Sequence, residues 1–151
     1  MDCQEFQNNK HEVLINTKDI DKAFGEIVLW GESVWWPKNC TMKFIRRGNS
    51  SIQRGTIYRQ KVLLPFAPSW LAIVTDIIEK KSISRKFLDV LLDGQETISI
   101  SPCDEKLKIE YLMNYKIKGQ LNNILWRLFF NGMHDNNIRL ILKNLKEYLE
   151  K

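Results

Sequence analysis

The sequence predicts an α+β domain in which an antiparallel sheet of six or seven strands is covered on one face by a long C-terminal helix. Three observations carry this prediction. Leu107, Ile109, Tyr111, Met113, Tyr115 and Ile117 alternate with Lys108, Glu110, Asn114 and Lys116, the period-two pattern of a strand with one buried and one wet face. From Thr41 to Ile117 the chain is rich in β-branched and aromatic residues, punctuated by Gly48, Asn49, Gly55, Pro65, Pro68, Asp93, Gly94, Pro102 and Asp104, as in a meander of antiparallel turns. Beyond Gly119 the apolar residues fall at helical spacing to the C-terminus, and a sheet with a solvated outer face needs such a cover for its inner one.

The elements follow in order. Val13 and Ile15 mark a first strand over His11 to Asn16. Asn16 or Thr17 can cap a helix in which Ile20, Ala23, Phe24, Ile27 and Val28 recur on one face, and Asp19 suits its positive end. Gly31 interrupts it, a second short helical turn is expected over Glu32 to Trp36, and Pro37 stops that piece. Strands are placed at Thr41 to Arg46, Thr56 to Leu63, Leu71 to Lys80, Arg85 to Leu92, Thr97 to Ser101 and Leu107 to Ile117, with Pro65-Phe66-Ala67-Pro68 a stiff connection. The last helix begins near Leu121 to Asn123, and Lys143, Glu147 and Lys151 give it spaced charge pairs. Its apolar stripe changes phase: Leu121, Leu125, Leu128 and Gly132 share one face, whereas Ile138, Ile141, Leu142, Leu145 and Leu149 share another. A bend or break near Gly132 to Asn137 would reconcile them, with Asp135 or Asn136 available as a cap.

Length and composition narrow the function classes. The 151 residues suit one domain over 1–151, and 44% hydrophobic with 27% charged residues is ordinary for a globular chain. No apolar run reaches the length of a membrane span, and Met1 to Lys10 lacks the basic and apolar regions of a signal peptide, so cytoplasmic residence is expected. Cys3, Cys40 and Cys103 form no CxxC pair and are expected as thiols; only His11 and His134 are available as a base for any of them. The two histidines have no metal-site spacing, and the seven glycines have no phosphate-loop spacing, so neither a metal nor a cofactor is expected. The net charge of +5 favours weak contact with an anionic membrane surface. The basic pairs Arg46-Arg47, Lys80-Lys81 and Arg85-Lys86 fall at hairpin ends and read as solvated turns, so no nucleic-acid partner is expected. Asp89 and Asp93 fit a solvated strand face better than an acid/base pair.

Several local sequences resemble the START-like (SRPBCC) superfamily, which includes pollen-allergen-like and polyketide cyclase/dehydrase-like proteins. These are Trp35-Trp36-Pro37 after the first helices, Arg85-Lys86-Phe87-Leu88 running to Gly94, Pro102, Tyr111 to Tyr115, and Gly119-Gln120-Leu121 to Leu125-Trp126-Arg127-Leu128 followed by His134. The resemblance spans nearly the whole chain and rests on the shared order of these pieces. It implies the helix-grip fold, a curved antiparallel sheet around a long C-terminal helix with two short helices after the first strand. It also implies a deep, mostly apolar cavity between sheet and helix. The expected function is binding or transfer of a hydrophobic small molecule, a lipid, isoprenoid or quinone, or polyketide-like compound, by a monomer or homodimer. The alternatives are a cyclase/dehydrase-like enzyme, for which no catalytic motif is matched, and a protein-interaction module without a ligand.

The candidate ligand-binding residues are Trp36, Phe44, Tyr58, Tyr111, Met113, Trp126, Phe130 and His134. Tyr111, Met113 and Tyr115 share the inward parity of their strand, where a tyrosine either packs with a backbone or water partner or turns its hydroxyl to a ligand. Trp35 and Trp36 are adjacent and cannot share a face, so one is expected to pack and the other to border an opening; Phe44 is a comparable core or entrance residue. Trp126, Phe130 and His134 form an i, i+4, i+8 row offset from the leucine stripe. That row is covered by the short helices or a partner copy, or it lines the pocket with His134 as a titratable contact.

Overall fold

In the computed structural model, which describes residues 5–65 and 67–151, seven strands form one antiparallel sheet in the order β1-β7-β6-β5-β4-β3-β2. They are β1 (Gln7–Ile15), β2 (Met42–Arg46), β3 (Ile57–Val62), β4 (Ser69–Ile78), β5 (Ser82–Leu88), β6 (Leu92–Cys103) and β7 (Lys106–Ile117). Helix α1 (Ile20–Val28) follows β1; after β7 come α2 (Gln120–Leu125), a π-helical turn (Trp126–Phe130) and α3 (Asn131–Leu149). Every pairing is antiparallel, and a bulge in β4 between Val74 and Asp76 shifts the register against β5. The expected helix-grip architecture is therefore present.

Parity along β7 sorts the sheet as the alternation requires. Leu107, Ile109, Tyr111, Met113, Tyr115 and Ile117 are all buried, and α3 covers them with Ile138, Ile141, Leu142, Leu145 and Leu149. Polar clasps fix the helix over the sheet. Asn137 Nδ2 donates to Thr41 Oγ1 at 2.8 Å while its Oδ1 accepts from the Thr41 backbone, and Asn144 Nδ2 donates to the Trp35 carbonyl at 3.1 Å. Asp135 accepts from Asn9 and lies 3.0 Å from His11 Nε2, tying the start of α3 to β1.

Several boundaries differ from the sequence expectation. Strand β1 starts at Gln7, four residues earlier, because its whole length finds partners on β7. Residues Glu32 to Trp36 form turns, not a second helix: their hydrogen bonds reach back three residues, Glu32 N to Leu29 O and Trp36 N to Ser33 O, and Gly31 has φ +90°. Strand β5 ends at Leu88 and β6 begins at Leu92, so Asp93 and Gly94 sit inside a strand instead of at a turn. Gly94 has φ +143°, and a Cβ there would lie 2.1 Å from the Asn114 carbonyl oxygen, which makes it a point of close approach between β6 and β7. Asp89 lies in the loop and accepts from the backbone N–H groups of Leu91 and Leu92 at 2.7 and 3.1 Å.

The phase change in the C-terminal helix is real, but its position and sense are corrected. It occurs in the π turn Trp126–Phe130; α3 runs unbroken through Gly132 and carries no side-chain cap, so Asp135 and Asn136 cap nothing. The extra residue of a π turn rotates the preceding helix. In consequence Leu121 and Leu128 are 69% exposed and Leu125 is 39% exposed, while Trp126 and His134 point inward at 6% and 4%. Phe66 of the 65–68 connection and Cys3 lie outside the described residues; Cys40 and Cys103 are free thiols.

Candidate functional site

The inward rows of β3 to β7 carry more polarity than an apolar cavity requires. Tyr58 and Gln60 on β3, Arg85 on β5, Glu96 on β6 and Tyr111 on β7 are all at most 2% exposed. Arg85 has the parity of Ile83 and Phe87, and Glu96 that of Ile98 and Ile100, so the pleat turns both charges inside. The reading of Arg85-Lys86 as a solvated pair is thus corrected: Lys86 points out and Arg85 is completely buried. None of Arg85, Glu96 and Gln60 was a sequence candidate.

These groups form one network. Glu96 Oε1 accepts from Gln60 Nε2 at 2.8 Å, and Gln60 Oε1 accepts from the Trp70 indole at 2.8 Å. Glu96 Oε2 accepts from the Tyr111 hydroxyl at 3.0 Å, and Tyr111 Oη lies 3.4 Å from His134 Nε2. With the Tyr111 proton directed to Glu96, the phenol oxygen is the acceptor, which assigns the histidine proton to Nε2. The Arg85 guanidinium lies beside Glu96, Nη1 to Oε1 at 3.6 Å, and over the Tyr58 ring at 5.1 Å. Burial, with the Glu96 charge adding to it, raises the Tyr111 pKa well above the usual tyrosine value, and burial pushes His134 down to about 4. The phenol and imidazole are therefore both neutral around pH 7, and the interior network orients polar groups with no charge beyond the Arg85–Glu96 pair.

Aromatic rings close the interior on two sides. Trp30 stacks on Tyr111 with centroids 6.1 Å apart, and Trp35, Trp36 and Phe44 pack around it. Trp35 is buried and donates to Glu26 Oε2, while Trp36 is half-buried and donates to the Met42 carbonyl, so both pack. On the other side Trp70 and Trp126 meet edge to face at 6.2 Å, and Trp126 Nε1 donates to Tyr115 Oη at 3.0 Å.

Outside the Trp70–Trp126 contact lies a cleft of about 260 Å³, bounded by Trp70, Leu92, Ile117, Leu125, Trp126 and Phe130, with Pro68, Ser69, Asp89, Leu91 and Asn122 completing its wall. The α2 and π segments also expose Leu121, Leu128 and Phe129, and the β5–β6 loop exposes Val90 and Leu91. Of the eight residues singled out from the sequence, Trp126 and Phe130 line this cleft. Tyr58, Tyr111 and His134 belong to the polar interior behind it, Trp36 and Phe44 to the far aromatic cluster, and Met113, 1% exposed, to the core under α3. Buried rings and the Arg85–Glu96 pair lie in the interior where the resemblance implies a deep apolar cavity.

The sheet order and the long C-terminal helix define a helix-grip fold. Solved structures of this kind match the chain over nearly its full length. Norcoclaurine synthase of Thalictrum flavum, solved as a point mutant with a transition-state analogue, aligns at TM-score 0.69 with 14% identity, over 98% of this chain and 99% of that one. The protein TTHA0849 of Thermus thermophilus aligns at 0.71 with 13% identity, over 95% and 97%, and Ara h 8.0201 at 0.64 with 14% identity, over 95% and 97%. At such identities the likeness speaks for the fold. No family model and no curated protein matches the sequence. Among the described residues no helix is long and apolar enough to cross a membrane, and no cluster of side chains could hold a metal.

Proposed function

We propose that this chain binds, and carries or exchanges, a hydrophobic small molecule in the cleft between the sheet and the α2–π–α3 helix. The cleft itself carries the reading: Trp70, Leu92, Ile117, Trp126 and Phe130 present apolar surface to a space opening beside exposed Leu91 and Leu125. Removing apolar ligand surface from water there is worth ~25 cal/mol per Å². A flat, partly unsaturated ligand of the isoprenoid, quinone or polyketide type suits walls made of indole and phenyl rings. A cytosolic monomer or homodimer, weakly attracted to anionic membranes by its net charge of +5, is the setting we infer.

A second reading, acid/base chemistry on a polarised carbonyl, draws support from the hydrogen-bonded Glu96, Tyr111 and His134 and from the enzymatic activity named for norcoclaurine synthase. The neutrality of Tyr111 and His134 favours the binding reading, because neither group is poised to exchange a proton near pH 7. Titration with the apolar dye N-phenyl-1-naphthylamine tests the proposal. Enhanced emission, displaced by a quinone or isoprenoid and weakened in Trp126→Ala, is expected. A folded protein that takes up no dye sinks the reading.

A further inference from the structure

Arg85 is 0% exposed, and among the described residues none of its three guanidinium nitrogens has a well-aligned hydrogen-bond acceptor. Its counter-ion is close but otherwise engaged: both Glu96 oxygens already accept, one from Gln60 and one from Tyr111, and the nearest approach to Nη1 is 3.6 Å. The guanidinium also covers the Tyr58 ring and interacts with its hydroxyl, and the indole nitrogen of Trp30 has no hydrogen-bond partner among the described residues. The interior therefore holds a surplus of donors. Buried donors are paired in nearly all native proteins, and a fully buried guanidinium whose donors lack well-placed acceptors is a rare exception that calls for a physical reason.

We propose that Arg85 is the anchor for the inner end of the ligand, and that the ligand presents a neutral acceptor oxygen, a carbonyl, to it. This rests on the binding reading above and specifies its ligand. The class follows from charge. Arg85 and Glu96 already sum to zero, so a ligand carboxylate would bring an unbalanced charge into a closed interior and face Glu96 across the guanidinium. A carbonyl accepts two N–H groups and adds no charge. The position follows from the rows: Ala72, diagonal to Arg85 on β4, is the one inward residue between Trp70 and Val74 and has only a methyl side chain, and Trp70 connects through Gln60 to Glu96. Trp70 on the cleft wall is thus joined to the guanidinium through Gln60 and Glu96, and in this proposal a ligand reaches Arg85 when the Trp70 and Trp126 rings part.

The test uses three probes of one shape: 2-acetylnaphthalene, 2-ethylnaphthalene and 2-naphthoate, titrated calorimetrically into the whole chain. The wild type is expected to bind the ketone roughly tenfold more tightly than the hydrocarbon, the value of one buried hydrogen bond, and more tightly than the acid. In Arg85→Met the ketone's advantage is expected to vanish while hydrocarbon affinity is kept. A ketone no better than the hydrocarbon in the wild type overturns the anchor and leaves the binding reading standing, and the acid binding most tightly overturns the neutral-acceptor assignment. Failure of all three probes overturns the anchor where N-phenyl-1-naphthylamine still binds, and both readings where it does not. Should Arg85→Met not fold, the infrared carbonyl stretch of 2-acetylnaphthalene bound to the wild type decides the matter: a fall below its frequency in hexane is expected, and an unshifted band refutes the contact.

Discussion

Acidification is expected to destabilise this protein through His134. The imidazole is 4% exposed, it faces Tyr111 and Trp126, and burial lowers its pKa from 6.5 to about 4 against a smaller opposing pull from Asp135. Between those values the unfolded chain binds a proton that the folded chain refuses, so the stabilising contribution is complete above the unfolded pKa and lost as pH falls towards the folded one. At 1.36 kcal/mol per pKa unit the loss between about pH 7 and pH 4 is on the order of 3 kcal/mol, a large part of a typical folding free energy. Asp135 works in the same sense at lower pH. Although burial pushes its pKa up, hydrogen bonds from Asn9 and His11 outweigh this and hold it below the ordinary 3.8. Urea denaturation of the wild type and His134→Gln across this range is the assay. Glutamine can keep a hydrogen bond to Tyr111 but cannot titrate, so the variant should lose about 3 kcal/mol less than the wild type. Parallel losses in the two proteins would refute the argument.

Two further outcomes follow from the interior. Glu96→Leu strands the Arg85 charge and should cost about 3–5 kcal/mol in chemical denaturation, whereas Arg85→Met combined with Glu96→Leu should regain most of it; simple additivity would show that the pair is not coupled. Gly94→Ala should lower the melting temperature by several degrees, corresponding to more than about 1 kcal/mol, because its φ of +143° and the 2.1 Å approach to Asn114 O leave no room for a Cβ. An unchanged melting curve would mean that β6 and β7 separate there without cost.

The sheet was legible because its strongest signals are local. The alternation of β7 survives in the burial of every residue from Leu107 to Ile117 on the predicted parity, and the aliphatic spacing of Ile138 to Leu149 survives in α3. The polar interior escaped because placing a strand start at Arg85 severed it from Ile83, the buried neighbour that would have revealed its inward parity. Starting β6 at Thr97 similarly left Glu96 outside its strand, one step from Ile98. The available signal was a charged residue in phase with Ile83 and Phe87 for Arg85, and with Ile98 and Ile100 for Glu96. The helix phase was harder, since a π turn has no composition of its own and the leucines on the exposed side are as apolar as the side that packs.

That π turn also makes chain length, not only residue identity, a determinant of the site. An α-helix becomes π-helical when one residue is added without breaking the ladder on either side, and such an addition turns everything before it by about 100° relative to everything after. Deleting any one residue between Trp126 and Phe130 would return the segment to ordinary helix and wind α2 back by that angle while α3 stayed clamped through Asn137 and Asn144. The indole at the inner wall would swing away, and a residue from the solvent-facing leucine side would take its place. The cleft wall that Trp126 forms is thus held in phase by a single residue of chain length, and an indel in this helix would remodel that end while the rest of the grip stayed as it is.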